Sequence, residues 1–176
     1  MILLIGAWLA LTGCTAPKGP VVDYDPGFEM RGLRHFTVEK APDAGLSDLD
    51  NSRIERAIRI VMNAKGYRYA SPADFIVRYS GILVHDVPDN ISFGFGIGGY
   101  GPHGGGSIGT AVTPTHDLLQ LRIDMIDPAA RRVFWSAHYN LRPPEKFDDP
   151  KARAAFFDTI TQKVLKSFPT ATKGNR

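Results

Sequence analysis

The sequence predicts an α+β domain of two layers, in which two α-helices pack on one face of a mostly antiparallel β-sheet. Three segments alternate apolar and polar residues with the period of two that is typical of a strand covered on one side. Two other segments carry apolar residues at helical spacing, and each is bounded by start and stop signals. The order strand, helix, three strands, helix favours a single sheet with both helices on its apolar face.

The first strand and the first helix are predicted between residues 33 and 66. A short β-prone run covers residues 33–38, and a polar loop follows it. Ser52 and Glu55 have the spacing of a capping box, which predicts the helix start there. Gly66 stands where a C-terminal cap belongs. The apolar face of this helix is formed by Ile54, Ala57, Ile58, Val61 and Met62.

Three amphipathic strands come next, and the last two form a hairpin about a turn at residues 127–130. Trp135 is expected near the middle of the core. The residues predicted to face the helices are Phe75, Val77, Tyr79 and Leu83 in the first strand, Leu119, Leu121, Ile123 and Met125 in the second, and Val133, Trp135, Ala137 and Tyr139 in the third.

The second helix is predicted to begin at Asp148 or Asp149, with Pro150 in its first turn. It is expected to end near Phe168, because Pro169 cannot continue it. Its apolar stripe consists of Phe156, Ile160 and Val164.

The first fourteen residues carry the most specific signal in the chain. An apolar run leads into Leu11-Thr12-Gly13-Cys14, and Cys14 is the only cysteine. The run is too short to span a bilayer, and a small residue before the cleavage site is what a signal peptidase needs. This pattern resembles the lipobox of bacterial lipoproteins, whose cysteine is acylated. We therefore expect a signal peptide over residues 1–13, a lipidated Cys14 and flexible tether over 14–22, one domain over 23–169 and a disordered tail over 170–176.

Composition restricts the partners. The formal charge of +3 comes from scattered residues without a basic cluster, so no nucleic-acid partner is expected. No second apolar run approaches the length of a membrane span, which leaves acyl chains on Cys14 as the expected membrane contact. Thr15 follows the cysteine where an aspartate favours inner-membrane retention in known lipoproteins. By that resemblance, the expected location is the periplasmic side of the outer membrane.

Two glycine-rich motifs suggest chemistry that their context does not support. Residues 94–99 match the spaced glycines of a dinucleotide site, but the glycines and proline that follow cannot start the helix this motif requires. Ser107 lies in a nucleophile-elbow pattern, with Asp124 and His138 downstream. An elbow needs a sharp strand-to-helix turn, whereas Ser107 leads into a β-prone run. No catalytic residue and no cofactor are expected.

Histidines near the predicted strand ends raise the possibility of a metal site. His85, His103 and His116 flank the glycine-rich segment, and acidic residues neighbour two of them. None has the tight spacing of a metal motif, so no metal is expected. They are better interpreted as surface residues.

Several motifs of the chain occur together in one known family: the lipobox, Asp23-Tyr24-Asp25, Ala64-Lys65-Gly66-Tyr67, the strand start at residues 73–77, a glycine-rich segment, and Arg131-Arg132-Val133-Phe134-Trp135. In these motifs the chain resembles bacterial lipoproteins that carry the domain of unknown function DUF4136. The resemblance implies the same fold and an envelope location, and it implies no catalytic residue.

Two functions remain open at this point. The first is a non-catalytic envelope lipoprotein that acts as an interaction or structural module and docks an envelope protein through the polar sheet face or the glycine-rich loop. The second is a binding protein or enzyme for a small periplasmic ligand. A deep pocket with convergent polar groups would favour the second, and a filled core would favour the first. The candidate docking residues of the loop are Phe93, Phe95, Ile97 and Tyr100.

Overall fold

Residues 19–88 and 115–172 are described by the computed structural model of the protein. Their elements are β1 (Val21–Tyr24), β2 (His35–Lys40), α1 (Asp48–Ala64), β3 (Arg68–Tyr69), β4 (Phe75–Pro88), β5 (Thr115–Asp127), β6 (Arg132–Leu141) and α2 (Pro150–Leu165). The strands form one sheet in the order β1-β6-β5-β4-β2-β3. β2 runs parallel to β3 and β4, and the other neighbours are antiparallel. The predicted α+β class is confirmed.

The core lies between the sheet and the two helices. The residues predicted to face the helices in β5 are all buried, as are Phe75, Val77 and Tyr79 of β4. Full burial of one such side chain contributes about 1.5–3 kcal/mol, which opposes the entropy lost on ordering the chain. The helices contribute the predicted stripes: Ile54, Ile58 and Met62 from α1, and Phe156, Ile160 and Val164 from α2.

Gly81 lets the loop before α1 pack directly on β4. A Cβ atom at this position would lie only 2.5 Å from Leu46 Cδ1. The N–H of Gly45 donates to the carbonyl of Gly81 over 3.0 Å. The loop therefore lies directly against the backbone of the strand.

The structure corrects the predicted start of the first helix. Ser47 is the N-cap of α1: its Oγ accepts the N–H of Asp50 over 3.3 Å and donates to the Asp50 carboxylate over 2.9 Å. Ser52 lies inside the helix, and its Oγ donates to the carbonyl of Asp48 over 2.9 Å. The prediction is wrong because Ser47 and Ser52 are both followed three residues later by an acid, and the capping pattern alone does not choose between them.

The first helix ends as predicted. Gly66 follows the last turn with φ of 90°, in the left-handed region that closes many helices. Lys65 provides the C-cap, and its N–H donates to the carbonyl of Val61 over 3.0 Å.

A β-bulge in β6 changes which of its residues face the core, so the prediction for this strand is partly wrong. Met125 pairs with Trp135, but Ile126 pairs with Val133, so Phe134 is an extra residue on β6. Phe134 and Trp135 are both buried in the core, whereas Val133, which was predicted to face the helices, is 40% exposed. Strict alternation cannot reveal a bulge, because it assumes one residue opposite each partner.

The strands at the two sheet edges are absent from the sequence prediction. β1 pairs with β6 and includes Val21 and Val22, which the sequence analysis assigned to the tether. β3 has two residues and lies beside β2. Such short strands carry too little periodicity to be recognised. β4 is longer than predicted and reaches Pro88, past an irregularity between Val84 and Val87.

The second helix begins as predicted and ends earlier. Its N-cap is Asp149, and a proline occupies its first turn. The helix stops at Leu165 rather than near Phe168. The ring of Phe168 lies in the core, with its centroid 5.1 Å from that of Trp135. Lys65 Nζ donates to the carbonyl of Phe168 over 2.6 Å. The residues after Leu165 thus pack Phe168 into the core and do not continue the helix.

Candidate functional site

The residues predicted to carry function lie mostly outside the described part of the chain. The polar sheet face is the one predicted docking surface that the structure describes. Outside the described residues lie the predicted lipidation residue Cys14, the predicted docking residues Phe93, Phe95, Ile97 and Tyr100, and also His103 and Ser107.

One row of side chains crosses the outer face of the sheet, which is the face turned away from the helices. Glu39, Arg78, Asp124, Ser136 and Asp23 occupy paired positions on β2, β4, β5, β6 and β1. Side chains at paired positions point to the same face and lie about 5 Å apart. These five residues form what we call the charged row. Its charge alternates from β2 to β5, in the order negative, positive, negative.

Hydrogen bonds hold the charged row in place. Arg78 Nη2 lies 3.3 and 3.4 Å from the two carboxylate oxygens of Glu39. Ser136 Oγ donates to Asp124 Oδ1 over 2.6 Å, and Arg122 Nε donates to the same oxygen over 2.9 Å. The Asp124 side chain is only 15% exposed, so these bonds are partly shielded from water. The row is therefore ordered before any partner arrives.

His138 lies beside Arg122 at a paired position of β6. Burial lowers the pKa of His138 below its ordinary value of 6.5, and the Arg122 charge lowers this pKa further, while Asp124 opposes the change. The imidazole is thus neutral at neutral pH. The hydroxyl proton of Ser136 is donated to Asp124.

An apolar row lies next to the charged row on the outer face. Thr37, Ile76, Ile126 and Val133 occupy its paired positions across β2, β4, β5 and β6. In the charged row, Arg78 Nε is buried and has no hydrogen-bond partner among the described residues.

Histidine and aspartate side chains meet at the far end of β4 and β5. His85 Nδ1 lies 3.0 Å from Asp117 Oδ2, and Thr115 Oγ1 donates to Asp86 Oδ1 over 3.4 Å. Asp86 has φ of 55°, within the irregular part of β4. Within residues 19–88 and 115–172, no group of three or more His, Cys, Asp or Glu side chains could hold a metal ion.

A groove of about 510 Å³ lies between the segment after β1 and the C-terminal segment of the chain. Its lining includes Tyr24, Phe28 and Tyr67. The Phe28 ring stacks on Phe134 with centroids 4.0 Å apart, and the Tyr67 hydroxyl donates to the Pro169 carbonyl over 3.3 Å. The groove is open to solvent, and these contacts hold its walls against the core. The sequence analysis did not find it, because residues 24–31 show no periodicity.

The model of the family DUF4136, a domain of unknown function, matches residues 20–170. The chain belongs to the DUF4136 family. Among solved structures it is similar to the PelC dodecamer from Paraburkholderia phytofirmans, with 14% identity over 87% of this chain and 99% of that chain and a TM-score of 0.52. It is also similar to a PDZ domain protein from Parabacteroides distasonis, with 13% identity over 89% of this chain and 36% of that chain and a TM-score of 0.52. These likenesses show the fold alone. The sequence matches no curated protein.

The motifs that suggested DUF4136 from the sequence occupy structural junctions of the domain. Asp25 Oδ1 accepts the N–H of Gly27 over 2.8 Å, and Asp25 Oδ2 lies 3.1 Å from Arg132 Nη1. Asp74 Oδ2 accepts two N–H groups at the start of β2, over 2.7 and 2.8 Å. The first contact joins the end of β1 to the start of β6, and the second fixes β2 beside β4.

The DUF4136 domain also contains a buried ionic cluster that the sequence analysis missed. Asp50 of α1 lies 2.6 Å from Arg53 Nη1, and it accepts Arg153 Nε of α2 over 2.8 Å. The Arg153 guanidinium lies 4.0 Å from the centroid of the Phe147 ring. Burial alone would raise the pKa of Asp50, but hydrogen bonds from Arg153, Ser47 and Arg53 outweigh it and lower this pKa below 3.8. The only sequence signal was the three-residue spacing of Asp50 and Arg53.

Proposed function

We propose that this protein is a non-catalytic envelope lipoprotein, anchored through Cys14 at the periplasmic side of the outer membrane, whose domain binds an envelope protein. The observation that carries this proposal is the asymmetry of the sheet. Both helices cover one face, while the outer face presents the charged row and the apolar row with their side chains already ordered.

The lipid anchor rests on the sequence. The residues before Cys14 resemble a lipobox, and Thr15 follows it. Each buried methylene of an acyl chain contributes about 0.8 kcal/mol, so two or more chains hold a protein stably at a bilayer. No helix in the described part of the chain is long and apolar enough to cross a membrane.

The outer face has the chemistry of a protein interface. The charged row supplies alternating charge, which favours a partner with the complementary order and disfavours others. In the apolar row beside it, Ile126 is already buried, and the exposed parts of Ile76 and Val133 gain free energy when water is excluded.

The geometry supports binding better than catalysis. The core is filled by aromatic and aliphatic side chains, many of them fully buried. The groove beside β1 is open, whereas a small-molecule site usually encloses most of its ligand. A binding protein or enzyme for a small periplasmic ligand remains the alternative, and this groove is where such a ligand would lie.

In-cell photocrosslinking tests the proposed docking face. A photoreactive residue at Gln120, on the outer face, should give a specific adduct with an envelope protein. The same residue at Ile60, exposed on α1, should give none. Arg78→Glu should abolish the adduct from position 120, because it places three negative charges in succession along the charged row. Equal adducts from both positions would contradict the docking face. An adduct with a second copy of this chain would mean that the outer face binds another copy and not an envelope protein, as in an assembly such as the PelC dodecamer.

A further inference from the structure

Exposed apolar side chains gather at the β1 edge of the sheet. Of seven large apolar side chains exposed in the described residues, three lie on β1: Val21, Val22 and Tyr24. Val21 and Tyr24 are 58% and 60% exposed. A shallow depression of about 230 Å³ beside β1 is lined by Tyr24 and by Trp135 of β6. We call the three β1 residues the β1 edge patch.

The backbone of β1 is poorly suited to accept another strand. The N–H of Asp25 donates to Phe134 of β6, so the preceding N–H, that of Tyr24, points away from the sheet. This outward N–H donates to Asp23 Oδ1 over 2.9 Å. The strand is also only four residues long. A short edge whose outward donor is occupied by a carboxylate resists strand addition.

The sequence places the β1 edge patch close to the proposed anchor. Val21 is the seventh residue after Cys14, and seven residues span at most about 25 Å. The acylated cysteine therefore keeps β1 within this distance of the bilayer surface, nearer along the chain than any other element.

The charges around the β1 edge patch are mixed. Asp23 is exposed on β1 itself, Asp25 is paired with Arg132, and Glu29 lies 3.8 Å from Arg31. The exposed Arg131 extends from the adjoining turn, where it can meet lipid phosphates. Tyrosine is enriched at membrane interfaces, since its ring is apolar and its hydroxyl stays in the headgroup layer.

From these observations, the geometry points to the phospholipid surface as the occupant of the β1 edge patch. Val22 and Tyr24 enter the interfacial layer, and the domain stands on this edge with its outer face directed into the periplasm. This inference rests on the proposed anchor at Cys14. It adds an orientation, because the acyl chains alone would leave the domain free to tumble on its tether.

A single-cysteine probe tests the contact. Since Cys14 is acylated, Val22→Cys carries the one free thiol of the mature protein, and it is labelled with a polarity-sensitive fluorophore. The acylated protein is inserted into phosphatidylethanolamine–phosphatidylglycerol vesicles with or without brominated acyl chains. Ile60→Cys, on the helix that packs near the opposite sheet edge, is the matched control. The label at position 22 should shift to shorter wavelength and lose most of its emission on brominated lipid, while the label at 60 changes little.

Other outcomes overturn the inference in distinguishable ways. If the protein floats with vesicles but the label at 22 is no more quenched than that at 60, the edge does not touch lipid and the anchor stands. If the protein does not float, the anchor fails and the contact fails with it. A spectral shift that depends on protein density and not on bromine indicates a second copy. Tyr24→Cys repeats the test if Val22→Cys loses its native circular dichroism.

Discussion

Trp135 and His138 lie three residues apart on β6 and face opposite sides of the sheet. The Trp135 ring meets Phe168 edge to face in the core, with centroids 5.1 Å apart. His138 belongs to the outer face, where it is only half-buried. The same strand therefore contributes one side chain to the core and, three residues later, another to the proposed docking face.

Truncation of these two side chains should have very different effects. We expect Trp135→Ala to lower the free energy of unfolding by about 3–5 kcal/mol, because it leaves a cavity in a packed core. His138→Ala should change it by about 0.5 kcal/mol, as is usual for surface positions. Urea denaturation followed by far-ultraviolet circular dichroism measures both. A larger loss for His138→Ala would mean that the faces of β6 are inverted.

At the residue scale, alternation predicts most of the core and fails where pairing is irregular. β4 and β5 follow the period of two, so Val77 and Leu121 are buried as predicted. Val133 is exposed although it was predicted to face the core, and Phe134 is buried instead. The bulge that causes this exchange depends on pairing with the partner strand. The sequence also shows Arg78 and Asp124 as separate charges. Their alignment depends on the register between strands, which no local pattern contains.

The two helices are joined by the buried carboxylate of Asp50. Its side chain is 1% exposed, and it binds arginines from both α1 and α2. A second contact, Arg56 with Asp158, also links α1 to α2 over 3.4 Å, but it lies at the surface. Asp50 and Asp158 thus each form an ion pair between α1 and α2, one buried and one exposed.

Asp50→Asn should destabilise the domain far more than Asp158→Asn. Loss of one partner of a buried ion pair costs about 3–5 kcal/mol, whereas an exposed pair contributes about 0–1 kcal/mol. Because folding lowers the pKa of Asp50 below 3.8, its stabilising contribution is present above about pH 4 and is lost as the pH falls through the folded value. Urea denaturation at pH 7 and pH 3 should show the gap between wild type and Asp50→Asn narrowing at pH 3. A gap that is independent of pH would contradict the ionic role.

Element prediction succeeds where a segment is long and local signals agree. The N-cap of α2 is Asp149, one of the two predicted start positions, and the proline after it fits the first turn as predicted. β1 and β3 exist only through pairing with β6 and β2, so a single sequence does not predict them.

For the whole molecule, the strongest expectation concerns the anchor. Cys14→Ala should abolish incorporation of a clickable fatty acid and leave unprocessed precursor, because lipidation precedes cleavage at a lipobox. The wild type should be labelled and should fractionate with outer-membrane markers. The domain should keep its melting temperature, since β1 begins seven residues beyond Cys14. Equal labelling of the variant and the wild type would contradict the anchor. Wild-type protein found with inner-membrane markers would contradict the outer-membrane location.

The pairing of β1 with β6 also governs the order in which this protein can fold. Val21 lies beside His138, more than a hundred residues later in the chain. A chain that emerges amino end first cannot complete its sheet until β6 has followed. Contacts of such long sequence separation slow folding, because the chain loses entropy before the pairing repays it. Among the described strands β1 has β6 as its one neighbour, so the first strand to be synthesised stays unpaired until β6 has followed.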